Sequence, residues 1–147
     1  MSANNIRPEN ARKPLVLISN PLSYTNQRHG EEKLAQMEQQ VIQAGGQVWR
    51  VEDGESLEAA VTAAIAADSG LIIANGGDGT IHGVVSAVLR HFGSQPAPTI
   101  AVLPGGRTNV IAADLGMRGT PSSLIPPLIE AWQSQQLRVS SRGTLAV

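Results

Sequence analysis

The stretch LIIANGGDGT, residues 71–80, decides the fold because a continuous apolar run ends directly in a glycine-rich loop. Its first four residues are apolar without alternation, which is typical of a strand buried on both faces of a parallel sheet. After the loop, apolar residues recur at i, i+3, i+4, i+7 and i+8 from Ile81 to Leu89, which predicts an amphipathic helix. A glycine-rich loop between a buried strand and a helix predicts a phosphate-binding turn in an α/β domain.

The residues of this loop suit a bound phosphate group. Gly76, Gly77 and Gly79 can aim backbone N–H groups at an anion without Cβ atoms in the way, next to the positive end of a helix. Asp78 requires a magnesium ion, a hydroxyl proton or a backbone N–H as its partner, whereas Thr80 can cap the helix or bond a phosphate oxygen. The competing interpretation is a hairpin turn at Asp78-Gly79, but the helical stripe that follows disfavours it.

Outward from this loop, strands and helices alternate along the chain. The pattern predicts further strands at residues 15–18, 47–51 and 99–103, and further helices at residues 31–44, 55–67 and 108–115. Leu124, Leu128 and Trp132 favour a last helix, although Pro126-Pro127 weakens the pattern. This order predicts a three-layer α/β/α fold with a mainly parallel sheet.

Two other loops follow strands of the predicted sheet, at the edge where ligands of such folds gather. Asn20-Pro21-Leu22-Ser23 is either an ordinary turn or part of a ligand site. A similar pattern occurs in Pro104-Gly105-Gly106-Arg107-Thr108-Asn109. Two glycines follow a strand, and guanidinium, hydroxyl and amide donors come next. An ordinary strand-to-helix turn capped by Thr108 or Asn109 explains that sequence equally well. Its position beside the first glycine loop favours phosphate binding.

A few further residues have two interpretations each. His82 lies in the first turn of the predicted helix and is either a general base or a partly exposed surface residue. Trp49 and Trp132 are expected to pack rather than to stack on bases.

Composition excludes several classes of protein. The chain has 147 residues, 41% hydrophobic, with 11 basic and 12 acidic side chains and a net charge of -1, so nucleic acid is not an expected partner. The absence of cysteine excludes disulfides and thiolate metal sites and favours the cytoplasm. No apolar run approaches the roughly 20 residues of a spanning helix, so membrane contact is expected to be peripheral, at an inner membrane face.

The chain divides into three parts in this interpretation. Residues 1–12 form a polar leader without the apolar core of a signal peptide, and residues 13–136 form the nucleotide-binding domain. Residues 137–147 form a tail that is either one strand or the first strand of a second domain. The sequence is compatible with a homo-oligomer.

The three loop sequences resemble the catalytic domain of the diacylglycerol kinases, a family that includes bacterial lipid kinases and sphingosine and ceramide kinases. The nucleotide-binding half of that family is similar to that of NAD kinases and phosphofructokinases. The resemblance implies an ATP site with magnesium, formed by Asn20, Pro21 and Ser23, the glycine loop from Gly76 to Thr80, and Gly106 to Asn109. It also implies that Asp78 is catalytic, organising metal or acceptor, and that the γ-phosphoryl group passes to a lipid hydroxyl such as that of diacylglycerol. No metal ligand is assigned.

Four residues depart from the family pattern. Tyr24 and Gly83 stand where glycine and glutamate are usual, and Arg107 and Val110 stand where threonine and aspartate are usual. The family also carries a second, β-rich domain, for which this chain has room only for the first strand. Two alternatives therefore accompany the lipid kinase: a non-catalytic or truncated nucleotide-binding module, and an NAD kinase-like enzyme that acts on a soluble hydroxyl compound.

Overall fold

The computed structural model of the protein describes residues 3–5 and 13–140, with side chains from residue 13 to residue 137. In chain order the elements are β1 (Ala3–Asn5), β2 (Leu15–Ser19), α1 (Tyr24–His29), α2 (Glu31–Gln43), β3 (Gln47–Arg50), α3 (Gly54–Ala66), β4 (Leu71–Gly76), α4 (Asp78–Phe92), β5 (Thr99–Pro104), α5 (Val110–Asp114), α6 (Pro121–Gln133) and β6 (Arg138–Ser140).

Four of the strands form one parallel sheet in the order β3-β2-β4-β5. The register pairs Ser19 with Asn75, and Gly76 with Pro104, so the last residues of β2, β4 and β5 lie side by side. Strands β1 and β6 form a separate antiparallel pair, so the tail contributes a strand at residues 138–140. The rest of the predicted tail, residues 141–147, lies outside the described residues, as do residues 1, 2 and 6–12 of the predicted leader.

Two apolar cores cover the two faces of the sheet, and the residues of β2 and β4 alternate between them. On one face, Val16, Ile18, Ile72 and Ala74 pack against buried residues of α3, α4 and α5. On the other face, Leu15, Leu17, Leu71 and Ile73 pack against α2 and α6. The predicted three-layer α/β/α architecture is confirmed.

Several features of the structure differ from the prediction, beginning with strand β1 in the predicted polar leader. Helix α1 was not predicted, because its one buried residue is the polar Asn26, which leaves no apolar period to detect. Helix α5 begins at Val110 rather than at residue 108, because Asn109 is in the left-handed region with φ 53°. Trp132 is buried as expected, but the packing expected for Trp49 is wrong: its side chain is 39% exposed on the edge strand β3.

Helix α6 forms in spite of the two prolines inside it. Thr120 and Ser123 form a capping box at its start, and Pro121 occupies the first turn, where its missing N–H has no intrahelical acceptor to lose. Its inner face buries Ile125, Leu128 and Trp132 in the core. Burial of that face outweighs the backbone bonds lost at Pro126 and Pro127. Within residues 13–140, none of the helices has both the length and the apolar character needed to span a bilayer.

Candidate functional site

The three predicted loops meet at the carboxyl edge of the sheet. The Asn20 N–H donates to the Asn75 carbonyl oxygen at 2.9 Å, and the Gly105 N–H donates to the Gly76 carbonyl oxygen at 3.1 Å. Asn75 and Gly76 therefore extend β4 beyond its apolar part and join the first loop to the third. These contacts bring the sequence-predicted residues together in one site.

The closest approach between two loops is between Gly77 and Gly106. A Cβ atom added to Gly106 would lie far inside van der Waals contact with the Gly77 Cα and 3.1 Å from the Gly77 nitrogen. A Cβ atom added to Gly77 would lie 3.4 Å from the Gly106 Cα, which is an ordinary contact. Only glycine at position 106 permits the two backbones to touch in this way.

Asp78 bonds the start of α5 and thereby connects α4 to the third loop. Its Oδ1 accepts from the Ile111 N–H at 3.0 Å, and its Oδ2 accepts from the Val110 N–H at 3.1 Å and from the Thr108 hydroxyl at 3.2 Å. The hydrogen bond from the Ile111 N–H is the main cause of a lowered pKa for this carboxyl group. Of the partners expected for Asp78, backbone N–H groups and a hydroxyl are the ones observed.

Thr80 is buried behind the glycine loop and does not cap α4. Its hydroxyl oxygen accepts a hydrogen bond from the Asn20 side-chain nitrogen at 3.4 Å, and its side chain fills the space that a Cβ atom on Gly76 would need. The cap position of α4 is Gly77. The buried Thr80 side chain therefore connects the loop that contains Asn20 to the glycine loop.

The turn from Asn20 to Ser23 is an ordinary β-turn that also carries a site residue. The Ser23 N–H donates to the Asn20 carbonyl oxygen at 3.2 Å, and the Asn20 Oδ1 accepts from the Leu22 N–H at 2.9 Å. Pro21 occupies the second position of this turn, which it favours. Ser23 then precedes α1 in an extended conformation and makes no side-chain cap bond.

Asn109 holds the third loop in shape. Its Oδ1 accepts from the Gly106 N–H at 2.7 Å, and its Nδ2 donates to the Gly106 carbonyl oxygen at 2.9 Å. Both ends of the amide are thus used within the loop, and the left-handed backbone of Asn109 completes the turn.

Arg107 projects from the same loop and stacks on Tyr24. Its guanidinium carbon lies 4.3 Å from the centre of the Tyr24 ring, and both residues are exposed. The Arg28 Nη1 donates to the Tyr24 hydroxyl oxygen at 3.1 Å, and this hydrogen bond is the main cause of a lowered pKa for the Tyr24 phenol. Two of the four departures from the family pattern are therefore in contact with each other.

The other two departures have separate physical reasons. A Cβ atom on Gly83 would lie 2.9 Å from the Leu57 Cδ1, so glycine allows α4 to approach α3 closely. Val110 is the first residue of α5, where an aspartate would favour the helix dipole, and the Asp78 carboxylate supplies that negative charge from α4 instead.

Sequence reasoning missed the buried polar residues beneath the loops. Asn26 is 6% exposed and donates from its Nδ2 to the carbonyl oxygens of Asn20 at 2.9 Å and Asn75 at 3.4 Å. The Asn75 side chain donates to the Ser19 hydroxyl oxygen at 3.1 Å. The only local indication was an asparagine three residues after Ser23, in a segment without apolar periodicity.

We expect Asn26→Ala to destabilise the fold by about 1–3 kcal/mol, because it removes one buried and one part-buried hydrogen bond that fix the first loop. The urea midpoint of unfolding measures this change. Gln27→Ala, at the exposed neighbouring position, is the matched control and should change stability by no more than about 0.5 kcal/mol. Equal midpoints for both variants would contradict the role given to Asn26.

A cleft of about 430 Å³ opens beside the glycine loop, between the starts of α3 and α4. Asn20, Gly79 and Thr80 form its border with the loops, and Leu57 and Val51 provide apolar wall. His82 is exposed, as expected of a surface residue, and it also lines this cleft.

The parallel sheet, the paired glycine loops at its carboxyl edge and the adjoining cleft define an α/β protein with a ligand site at the ends of its strands. The sequence model of the diacylglycerol kinase catalytic domain matches residues 14–140, and the chain belongs to this family. The resemblance drawn from the three loops is therefore confirmed.

Solved structures give the same fold. Three structures of diacylglycerol kinases from Bacillus anthracis str. Sterne, two of them provisionally assigned as such, superpose with a TM-score of 0.65 at 21% sequence identity. Each match covers 80% of this chain but only 41% or 42% of the other chain, so this chain spans less than half the length of these proteins. A comparison with curated proteins finds no match.

Proposed function

We propose that this chain is the ATP-binding part of a lipid kinase that transfers the γ-phosphoryl group of ATP to a lipid hydroxyl such as that of diacylglycerol. The observation that carries the proposal is the contact between Gly77 and Gly106, which brings two glycine loops together beside a cleft large enough for a nucleoside. The backbone N–H groups of such loops suit the phosphates of a nucleotide.

In the proposed reaction the oxygen of the acceptor hydroxyl bonds to the γ-phosphorus, and the bond from that phosphorus to the bridging oxygen breaks, which releases ADP. The O–H bond of the acceptor also breaks: its electron pair stays on the oxygen, and the proton passes to water or to a phosphate oxygen of the nucleotide. Asp78 is proposed to organise the metal or the acceptor rather than to take the proton, because its lowered pKa makes it a weak base at neutral pH.

The site suits a magnesium ion that is held mainly by the nucleotide and only in part by the protein. A carboxylate offers about four acceptor positions, and three of those of Asp78 are taken by donors of the third loop and α5. Mg²⁺ is commonly held by one or two carboxylates together with substrate phosphates and water, so one position on Asp78 suffices. Bound there, the ion would neutralise charge on the transferred phosphoryl group.

A lipid acceptor is supported by the exposed apolar side chains at this edge. Leu22 is 58% exposed in the first loop, and Val110 is 63% exposed at the start of α5. Exposed apolar side chains at this edge would contact the acyl chains of a substrate that also carries the acceptor hydroxyl. Peripheral contact with a membrane surface is proposed on the same ground.

We expect ATP with Mg²⁺ at about 100 times its dissociation constant to raise the free energy of unfolding by about 2.7 kcal/mol, because a ligand of the native state stabilises it. A thermal melt with and without nucleotide measures this shift. The shift should vanish in Asp78→Ala and in Gly77→Val. An unchanged melting curve at millimolar ATP would refute the proposal.

A non-catalytic nucleotide-binding module is the second candidate function. Two observations support it. Gly83, at the edge of the cleft, stands where the family usually has a glutamate carboxylate. Asp78 already accepts a hydrogen bond from the start of α5. Turnover of labelled ATP with a panel of lipids and soluble hydroxyl compounds distinguishes the candidates. A chain that binds ATP and phosphorylates no acceptor is a module, and one that phosphorylates only soluble compounds is an enzyme of the NAD kinase-like type.

A further inference from the structure

Tyr24 and Arg107 form a pair at the exposed end of the site. They belong to different loops, and each stands where the family more often has a smaller residue, glycine or threonine. The guanidinium carbon of Arg107 lies 4.3 Å from the centre of the Tyr24 ring, within the range of a cation–π interaction. The two departures are thus parts of one contact.

The Tyr24 ring is fixed relative to the loop that carries Arg107. Tyr24 is the first residue of α1, and the next residue, Thr25, donates from its N–H to the Gly105 carbonyl oxygen at 3.0 Å and from its hydroxyl to the Gly106 carbonyl oxygen at 2.7 Å. The Arg28 Nη1 also donates to the Tyr24 hydroxyl oxygen at 3.1 Å. The ring is therefore a platform for Arg107.

Stacking leaves the donors of Arg107 available. A guanidinium group stacks through its flat face, whereas its N–H groups lie in the plane and point outward. Among the described residues, Arg50 and Arg90 are bound to glutamate carboxylates, whereas Arg107 has no carboxylate partner. Arg107 can therefore offer a pair of parallel N–H groups to the oxygens of a phosphate.

The order of the residues along the carboxyl edge of the sheet indicates which phosphate of the nucleotide lies near Arg107. The cleft borders the first turn of α4 at Gly79 and Thr80, whereas Gly106 packs against Gly77, the cap residue of α4, and Arg107 follows Gly106. A nucleotide with its nucleoside in the cleft would cross the loop from Gly79 towards Gly77. Its terminal phosphate would lie at the end nearest Arg107.

We propose that Arg107 binds the terminal phosphate of the nucleotide and that Tyr24 positions it, so that this pair sets the preference of the site for ATP over ADP. The inference rests on the proposed function, since it assumes that ATP binds with its phosphates on the glycine loop. Arg107 touches the ligand, whereas Tyr24 acts through Arg107.

Calorimetric titration of the whole chain with ATP, ADP and AMP in the presence of Mg²⁺ tests the pair. We expect Arg107→Thr to weaken ATP binding by roughly tenfold or more, as for the loss of a charge-assisted hydrogen bond, and to leave AMP binding nearly unchanged. The ratio of ATP to ADP affinity should fall. Tyr24→Gly should lower the same ratio, and the double variant should be no worse than Arg107→Thr alone.

Conservative and distant variants serve as controls. Tyr24→Phe keeps the ring and should retain most of the ATP preference, a rescue that a general loss of stability would not give. Trp49→Ala removes an exposed aromatic side chain from β3, and Lys13→Gln removes a cation at the amino end of β2, so both should keep the wild-type ratio.

Two results would overturn the proposal: equal weakening of ATP, ADP and AMP by Arg107→Thr, or an unchanged ATP-to-ADP ratio in Tyr24→Gly. Wild-type protein that binds ATP and AMP with no dependence on Arg107 would remove this inference and leave the proposed function intact. Wild-type protein that binds no nucleotide would remove both.

Discussion

Gly106→Val should unfold or severely destabilise the protein, by about 3 kcal/mol or more, and should abolish any stabilisation by ATP. The added side chain would enter the space of the Gly77 backbone, where no flexible side chain can move aside. Overpacking of this kind generally costs about 1–3 kcal/mol, and here the third loop must also leave the first helix, whose Thr25 bonds the Gly106 carbonyl oxygen. The urea midpoint and the melting temperature measure the change.

The neighbouring glycine provides the matched control for this prediction. Gly77→Ala places a Cβ atom 3.4 Å from the Gly106 Cα, and the backbone at Gly77 has φ -80°, which alanine adopts without strain. We expect its stability to stay within about 1 kcal/mol of the wild type. Its ATP response should nevertheless fall, because a methyl group would stand where phosphate approaches the backbone. Equal stability of Gly106→Val and Gly77→Ala would contradict the contact between the two loops.

The parallel sheet could be predicted from the sequence because the residues of each central strand identify that strand without reference to its neighbours. Every residue of β2 and β4 is buried, so each strand is an unbroken short run of low polarity that ends in a turn. The stripe from Ile81 to Leu89 likewise identifies α4, although the helix itself begins at Asp78, before the first apolar residue. The alternation with helices and the rule for right-handed crossovers predicted parallel strands, whereas the order β3-β2-β4-β5 comes from the structure.

The parts of the site that were not predicted depend on contacts between distant segments. Asn26 has no apolar neighbours at helical spacing, and its burial results from carbonyl oxygens of β4 and of the first loop. The partners of Asp78 lie in the third loop and in α5, and Arg107 contacts Tyr24 of α1. Local propensity predicts a turn or a cap at each of these residues but cannot choose its partner. The sequence therefore predicted which loops meet at the edge of the sheet, and the fold determined how their residues are paired.

Asp78→Ala should destabilise the protein by about 1–3 kcal/mol at neutral pH, because it leaves the Ile111 and Val110 N–H groups at the start of α5 without their acceptor. Asn109, at the cap position of α5, makes no side-chain bond that would replace it. Asp78→Asn should be nearly as unstable, since an amide nitrogen would face N–H and hydroxyl donors where the carboxylate has an oxygen.

The difference in stability between wild type and Asp78→Ala should also depend on pH, with a sign fixed by the lowered pKa of Asp78. The folded state holds this carboxyl group ionised more strongly than the unfolded chain, in which its pKa has the ordinary value of 3.8. The stabilisation is therefore fully present above that value and is lost as the pH falls through the lower pKa of the folded state. Urea unfolding of both proteins between neutral and acidic pH measures it, with Thr120→Ala as control, because that variant removes a helix cap that carries no charge. A constant difference down to the most acidic pH would mean that the charge of Asp78 does not hold α5, and the bonds to Ile111 and Val110 would then not account for the position of the third loop.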